Sequence, residues 1–374
     1  MEEKELKEQE VKEDTKRSKK RLFLLLLLLI ITGVILSTST YAWFTSNRTV
    51  TVEDIDVNVA ASGGIQVSVD GTNWKSIITN ADIKDAITTY AAATNQLPST
   101  LKPVSTAAKS LNNGYLSMWL GTVETSNTTT NKGQYILTTK DVSTVKDTTV
   151  EDTENAGKNG HFVMFDLFVR LDDNGTAAMP LYLTKSSDVT FKSGGSDLGT
   201  QNASRVAFIN EGSIANGSDL TAIQALTTTD VSNIYVWEPN YDAHTTTGIS
   251  NAYSYYNSAN SGNAYTAANS KSQVPYFGTI AEVTTDNDVL LSKANATDNG
   301  TQFASITPGI KTKAGWADAT GYEKLFDLNP NTITKVRIYF WVEGQDIDCE
   351  NNASGGDISL KLQFSLNDKD ATTE

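Results

Sequence analysis

From Ile358 to Leu366 every second residue is apolar: Ile358, Leu360, Leu362, Phe364 and Leu366 alternate with Ser359, Lys361, Gln363 and Ser365. A period of two sends one set to each face of a β-strand, and no helix keeps that pattern. The segment therefore lies on a sheet with one side dry and the other facing water. Phe162 to Leu171 (FVMFDLFVRL) is apolar on both alternations, which predicts a central strand covered on both sides. Lys335 to Val342 (KVRIYFWV) reads as a further strand, pairing antiparallel with 358–366 around a loop.

Shorter strand signals fill the rest. Val50, Val52, Val57 and Val59 alternate around a kink at Asp54-Ile55, and Ile65, Val67 and Val69 follow. Asp70-Gly71 supplies a turn before Trp74. Leu181–Leu183, Val189–Phe191, Arg205–Ile209 and Ile234–Trp237 complete the set. Period-two signals at both ends of the chain imply an all-β, jelly-roll-like β-sandwich rather than a string of modules. Long Thr/Asn/Ser/Gly stretches at about 105–160 and 240–320 read as loop and hairpin insertions. Ala81 to Ala93 has the spacing of one helix, with Ile83, Ile87 and Tyr90 on a shared face.

Ahead of the strands, Leu22 to Ile31 (LFLLLLLLII) is wholly apolar and Val34-Ile35-Leu36 extends it. That length suits the core of an export signal, while counting on to Phe44 reaches a spanning length with interfacial aromatics. Lys16, Arg17, Lys19, Lys20 and Arg21 precede the run, so the positive-inside rule keeps residues 1–21 cytoplasmic and exports 45–374. A type IV prepilin is disfavoured, since no Gly precedes the run and no Glu follows a few residues into it. The net charge is −14, and the first 21 residues hold eight basic and seven acidic side chains, so the acidity belongs to the exported part. Such a surface repels phosphate backbones and excludes nucleic acid as a partner. A single cysteine, Cys349, forbids an intrachain disulfide and fits a small buried hydrophobe. An exported chain without disulfides suits a Gram-positive-type surface.

The junction Thr40-Tyr41-Ala42-Trp43-Phe44, after a Leu/Ile-rich stretch, resembles that of TasA and camelysin-type surface proteins of Firmicutes. The segment Trp341 to Cys349 also resembles segments of surface proteins carrying this type of signal. The resemblance implies export through a dedicated signal peptidase, with cleavage just before Phe44. A cut after Ala42, with Thr40 three residues before the bond, is sterically easier because Trp43 is large. A retained signal-anchor over 22–44 is the other outcome. By the same resemblance, Phe44 to Val59 is a strand donated to a neighbouring copy, giving fibres of a cell surface or biofilm matrix. The alternative is a membrane-anchored monomeric adhesin or carbohydrate-binding module, with tyrosines of 251–265 stacking on a cell-wall or matrix glycan.

Two sets of residues invite chemistry. EGQDIDCENNASGGD gathers Glu343, Asp346, Asp348, Glu350 and Asp357 in one loop, which reads as a solvated acidic turn or as a Ca²⁺ site. The spacing is not that of an EF-hand. Asp166, Arg170, Arg205 and Arg337 lie inside apolar strands, where charges need partners, so a cross-strand pair of Asp166 with an arginine is expected. Catalysis finds little support. The two histidines are His161 and His244, and neither an HExxH nor a GxSxG motif is present. Trp237-Glu238-Pro239-Asn240 reads as a strand end and turn. Leu97-Pro98-Ser99-Thr100 lacks the Gly of a sortase signal, so attachment is expected through 22–44 or through self-association.

Overall fold

The computed structural model describes residues 50–59, 64–124 (less 99, 107–110 and 113), 135–143 and 160–239 (less 173–175, 185 and 192–198). It also describes short pieces between 245 and 310, and 323–366 (less 345, 347 and 350–356). Residues 22–44, with the junction Ala42-Trp43-Phe44, lie outside these, as do His244 and the Tyr-rich 251–265 segment. Among the described residues no helix is long and apolar enough to cross a membrane.

Along the chain, the strands of the two large sheets begin with β1 (Val50–Val59), β2 (Ile65–Ser68), β3 (Ile77–Ile78) and β4 (Thr100–Leu101). β5 (Val163–Leu171), β6 (Met179–Leu183), β7 (Asp188–Phe191), β8 (Ser204–Ala215) and β9 (Ile234–Trp237) follow. β10 (Gly309–Ile310), β11 (Glu323–Leu328), β12 (Thr332–Val342) and β13 (Asp357–Ser365) complete them. The first sheet has seven strands in the order β11-β6-β13-β1-β3, with β7 also on β13 and β4 also on β1. The second has six, in the order β10-β9-β8-β12-β5-β2. Most pairings are antiparallel; β1 with β13 and β9 with β10 are parallel. The described chain is all-β with short helices, as its alternation predicts.

The sheets face each other across one apolar core. Ile358, Leu360, Leu362 and Phe364 from β13 meet Val206, Phe208, Val336, Ile338 and Phe340 from β8 and β12, all buried. Phe208 and Phe364 touch edge to face across the gap, ring centroids 6.0 Å apart. Each fully buried side chain of this kind contributes about 1.5–3 kcal/mol relative to exposure. The second sheet is covered on its other face too. There Met164, Ala207, Ile209, Val236, Tyr339 and Trp341 pack beneath Val104, Leu116 and Met118. Part of the 105–160 insertion thus belongs to the packed structure. It includes a hairpin, Leu111–Asn112 with Tyr115–Leu116, and the strands Trp119–Glu124 and Tyr135–Asp141.

Two expectations are corrected. β12 and β13 are not partners: β12 lies in the second sheet and β13 in the first, so the acidic loop crosses from one layer to the other. Both strands present an apolar face, and those faces gain more by closing on a shared core than by lying side by side. The 81–93 helix is also shorter than its spacing predicts. α1 (Asn80–Asp85) starts with a Thr79–Asp82 capping box and gives way to a 3-10 turn at Ala86–Thr88. Thr89 then donates to Asp70 Oδ2 at 2.6 Å and Tyr90 reaches into the sheet, which a continued helix would forbid. Ile83 and Tyr90 are buried, whereas Ile87 is 52 % exposed.

The Asp70-Gly71 turn forms as expected, with Gly71 in the left-handed region at φ +80°. Asp70 Oδ1 accepts from the Ser68 hydroxyl and from the Thr72 and Asn73 N–H groups, at 2.7, 2.9 and 2.8 Å. Burial alone would raise its pKa, but these donors and Thr89 hold the carboxyl below its ordinary value of 3.8.

Replacing Leu362 by Ala should lower unfolding stability by about 2–5 kcal/mol, and Lys361→Ala by no more than about 0.5, measured by urea titration. Asp70→Asn should cost about 1–3 kcal/mol at pH 7. Because the folded-state pKa of Asp70 is depressed, that advantage exists above its unfolded value and fades as pH falls below about 3.8. Urea midpoints of the two proteins should converge there, and parallel curves down to low pH would refute the assignment.

Candidate functional site

Three places on this frame bear on function. The first is β1. It runs parallel to β13 with Val52 opposite Ile358, Ile55 opposite Leu360, Val57 opposite Leu362 and Val59 opposite Phe364. The register slips between Val52 and Asp54, so the irregularity read at Asp54-Ile55 is a bulge just before it. On its other edge, among the described residues, β1 meets β4 at Val50-Thr51 and β3 at Val57-Asn58. The first described strand therefore occupies an interior lane of the first sheet.

The second is the acidic loop between β12 and β13. It is not a solvated turn: Glu343, Asp346 and Asp348 are all buried. Arg205, wholly buried on β8, reaches Asp346 Oδ2 at 2.7 Å and Glu238 Oε1 at 2.6 Å. Arg205 Nη1 also donates to the Ser204 carbonyl at 2.9 Å. Asp346 Oδ1 accepts from the Asp348 N–H, and Asp348 Oδ1 from the N–H and hydroxyl of Thr245 at 2.9 and 2.7 Å. Glu343 Oε2 accepts from Trp341 Nε1 at 3.1 Å, while its N–H donates to Ala203 O. So three of the five sequence-read carboxylates are buried, and one of them, Asp346, pairs with a guanidinium. Glu350 lies outside the described residues, and Asp357 opens β13 with its side chain likewise outside them. Among the described residues no three His, Cys, Asp or Glu side chains are grouped to hold a metal ion. Glu238 was legible only as a strand end; its pairing with Arg205 depends on folding. Cys349, next to the cluster, is a buried side chain of the core.

The third is a charge network on the outer face of the second sheet. The expected partner of Asp166 is Arg337, directly opposite it on β12. Arg337 Nε donates to Asp166 Oδ1 at 2.8 Å and Nη2 to Oδ2 at 3.2 Å. Lys335 Nζ lies 3.1 Å from Asp166 Oδ2. Glu211 comes within 3.1 Å of Arg337 Nη1. Tyr90 donates to Gln224 O at 2.9 Å and lies 3.1 Å from Asp166 Oδ2. Above them Tyr115 stacks on the Arg337 guanidinium, 4.2 Å from ring centre, and Gly114 O accepts from Arg337 at 3.0 Å. Gly114 sits at φ +77°, where an added Cβ would stand 2.6 Å from a Glu211 oxygen. Burial would raise the Asp166 pKa, yet Arg337 and Lys335 hold it below the ordinary range. Burial pushes Glu211 up to about 6, with Arg337 only partly opposing. Burial pushes Lys335 down, against the pull of Asp166. Arg170, read on the same strand, is engaged elsewhere, by Gln66 and over Trp74.

No family model, curated protein or solved structure matches this chain. The site is accordingly read from its own geometry.

Arg205→Met should cost about 3–5 kcal/mol, because Asp346 and Glu238 would keep their burial and lose their counter-charge. Urea unfolding checks this; a loss under about 1 kcal/mol would mean that the loop carboxylates are neutralised another way.

Proposed function

We propose that this chain is an exported, non-enzymatic structural protein of a Gram-positive-type cell surface or biofilm matrix, building fibres by lending its N-terminal strand to a neighbouring copy. One observation carries the reading: β1, the first described strand, fills an interior lane against β13 in parallel register from Thr51 to Val59. A strand in that lane makes the same main-chain hydrogen bonds whether it comes from its own chain or from another. Head-to-tail exchange of this kind does not close on itself and so grows filaments.

On this reading the two facing sheets form a jelly-roll-like sandwich, and the apolar helix of 22–44 directs export. Removal at Ala42-Trp43-Phe44 frees β1 to exchange. The acidic loop serves as a tie between layers, its Asp346 held by Arg205. The absence of catalytic motifs and the burial of His161 favour a non-enzymatic role.

The pairing of β1 within its own chain supports a second reading, a monomeric adhesin held at the membrane by 22–44. Filament formation of the exported chain, followed by electron microscopy and sedimentation, separates the two. The exported form should polymerise, and a form lacking residues 45–59 should not. Polymerisation without those residues would overturn the donor reading; a monomeric exported form still carrying 22–44 would establish the second.

A further inference from the structure

Lys335 and Asp166 sit side by side on adjacent antiparallel strands, sealed from water. Lys335 Nζ is 3.1 Å from Asp166 Oδ2, and the two residues are 2 % and 0 % exposed. The register sets Arg337 opposite Asp166 and Lys335 opposite Phe168, so the lysine reaches the aspartate diagonally. Its other contacts are the Tyr90 hydroxyl at 3.1 Å and Gln224 O at 2.8 Å. On the opposite flank of β12, Glu211 occupies the bulge of β8, between the partners of Val336 and Lys335. Glu211 Oε2 accepts from the Thr228 N–H, but buried Oε1 has no aligned hydrogen-bond donor, although Arg337 is near.

We propose that Lys335 Nζ and Asp166 Cγ condense into an amide, so that the folded chain carries an internal covalent tie between β12 and β5. One ammonium proton passes to Asp166 Oδ2 through the Tyr90 hydroxyl, which lies 3.1 Å from both atoms. The freed amine attacks Cγ, the C–N bond forms and the Cγ–Oδ2 bond breaks. Oδ2, already carrying that proton, takes a second one from Nζ and leaves as water. An ammonium and a carboxylate thereby give an amide and water, with atoms and charge balanced and no co-reactant required.

The surroundings fit both transition state and product. Arg337 Nε is aimed at Oδ1, the oxygen that carries negative charge in the tetrahedral intermediate and stays as the amide carbonyl. The groups are held in contact by two paired strands, so the encounter costs no further entropy. After condensation the amide N–H keeps Gln224 O as acceptor, and the carbonyl keeps Arg337 as donor. The charge balance also survives: before the step two buried cations face two buried anions, and afterwards Arg337 faces Glu211, already 3.1 Å away. Removing two charges from a dry interior relieves their desolvation cost. Burial favours the amine form of Lys335. Arg337 opposes the step in one respect, by keeping Asp166 ionised and less electrophilic. The reaction is therefore a slow, single event after folding.

Tryptic mapping of the folded, purified chain tests this whatever the state of its N-terminus. Trypsin does not cut after an acylated lysine, so Asn159–Arg170 should appear joined to Leu325–Arg337, lighter than the two peptides together by one water. Fragmentation should place the bond between Asp166 and Lys335. Two separate peptides, with cleavage after Lys335, would overturn the proposal. Lys335→Arg keeps the charge and should abolish the joined species. Tyr90→Phe should slow its appearance about a hundredfold; joining at the wild-type rate would remove the Tyr90 hydroxyl from the step. The bond is read within one chain, so the outcome is independent of fibre assembly.

Discussion

A sheet buried on both faces has no wet side, and that constraint governs this molecule. β12 presents Val336, Ile338 and Phe340 to the first sheet, and Tyr339 and Trp341 to the overlying 104–118 segment. Whatever charge such a strand carries must be neutralised inside the protein, since water reaches neither side. Lys335 and Arg337 lie on this strand, and Asp166, Arg205 and Glu211 on its neighbours.

The answer is two charge clusters separated by apolar packing on the same outer face. Around Arg337 the charges balance, two cations against two anions, with the Tyr90 hydroxyl and backbone carbonyls completing the set. Around Arg205 one guanidinium serves both a strand-end glutamate and an aspartate of the inter-sheet loop. Both clusters tie segments far apart in the chain, so each acts on the closed fold and contributes nothing to any strand alone. Buried ion pairs of this kind are weak evidence for stability but strong evidence for a particular arrangement, because a misplaced partner leaves a bare charge.

The route of the chain bears on assembly. Having crossed between layers through the acidic loop, the polypeptide lays β13 beside β1, bringing late and early strands of the sequence together in parallel. That pairing spans most of the described chain, which makes it entropically the most demanding strand contact to close.

The alternation at 358–366, the double-sided apolarity of 162–171 and the Asp70-Gly71 turn were legible without coordinates, since each follows from periodicity or from local hydrogen bonding. So was the need of Asp166 for an arginine, because burial of a charge is visible in the pattern around it. The partner's identity was not: Arg337, Arg170 and Arg205 look alike in a strand, and only register and layer assign them. For the same reason the carboxylates at 343–348 read as a wet loop or a cation site until the crossing between sheets buried them, Asp346 against Arg205. Periodicity says which face of a strand is dry, whereas the choice of sheet, neighbour and counter-charge is made by contacts between residues remote in sequence, and only the closed sandwich contains those.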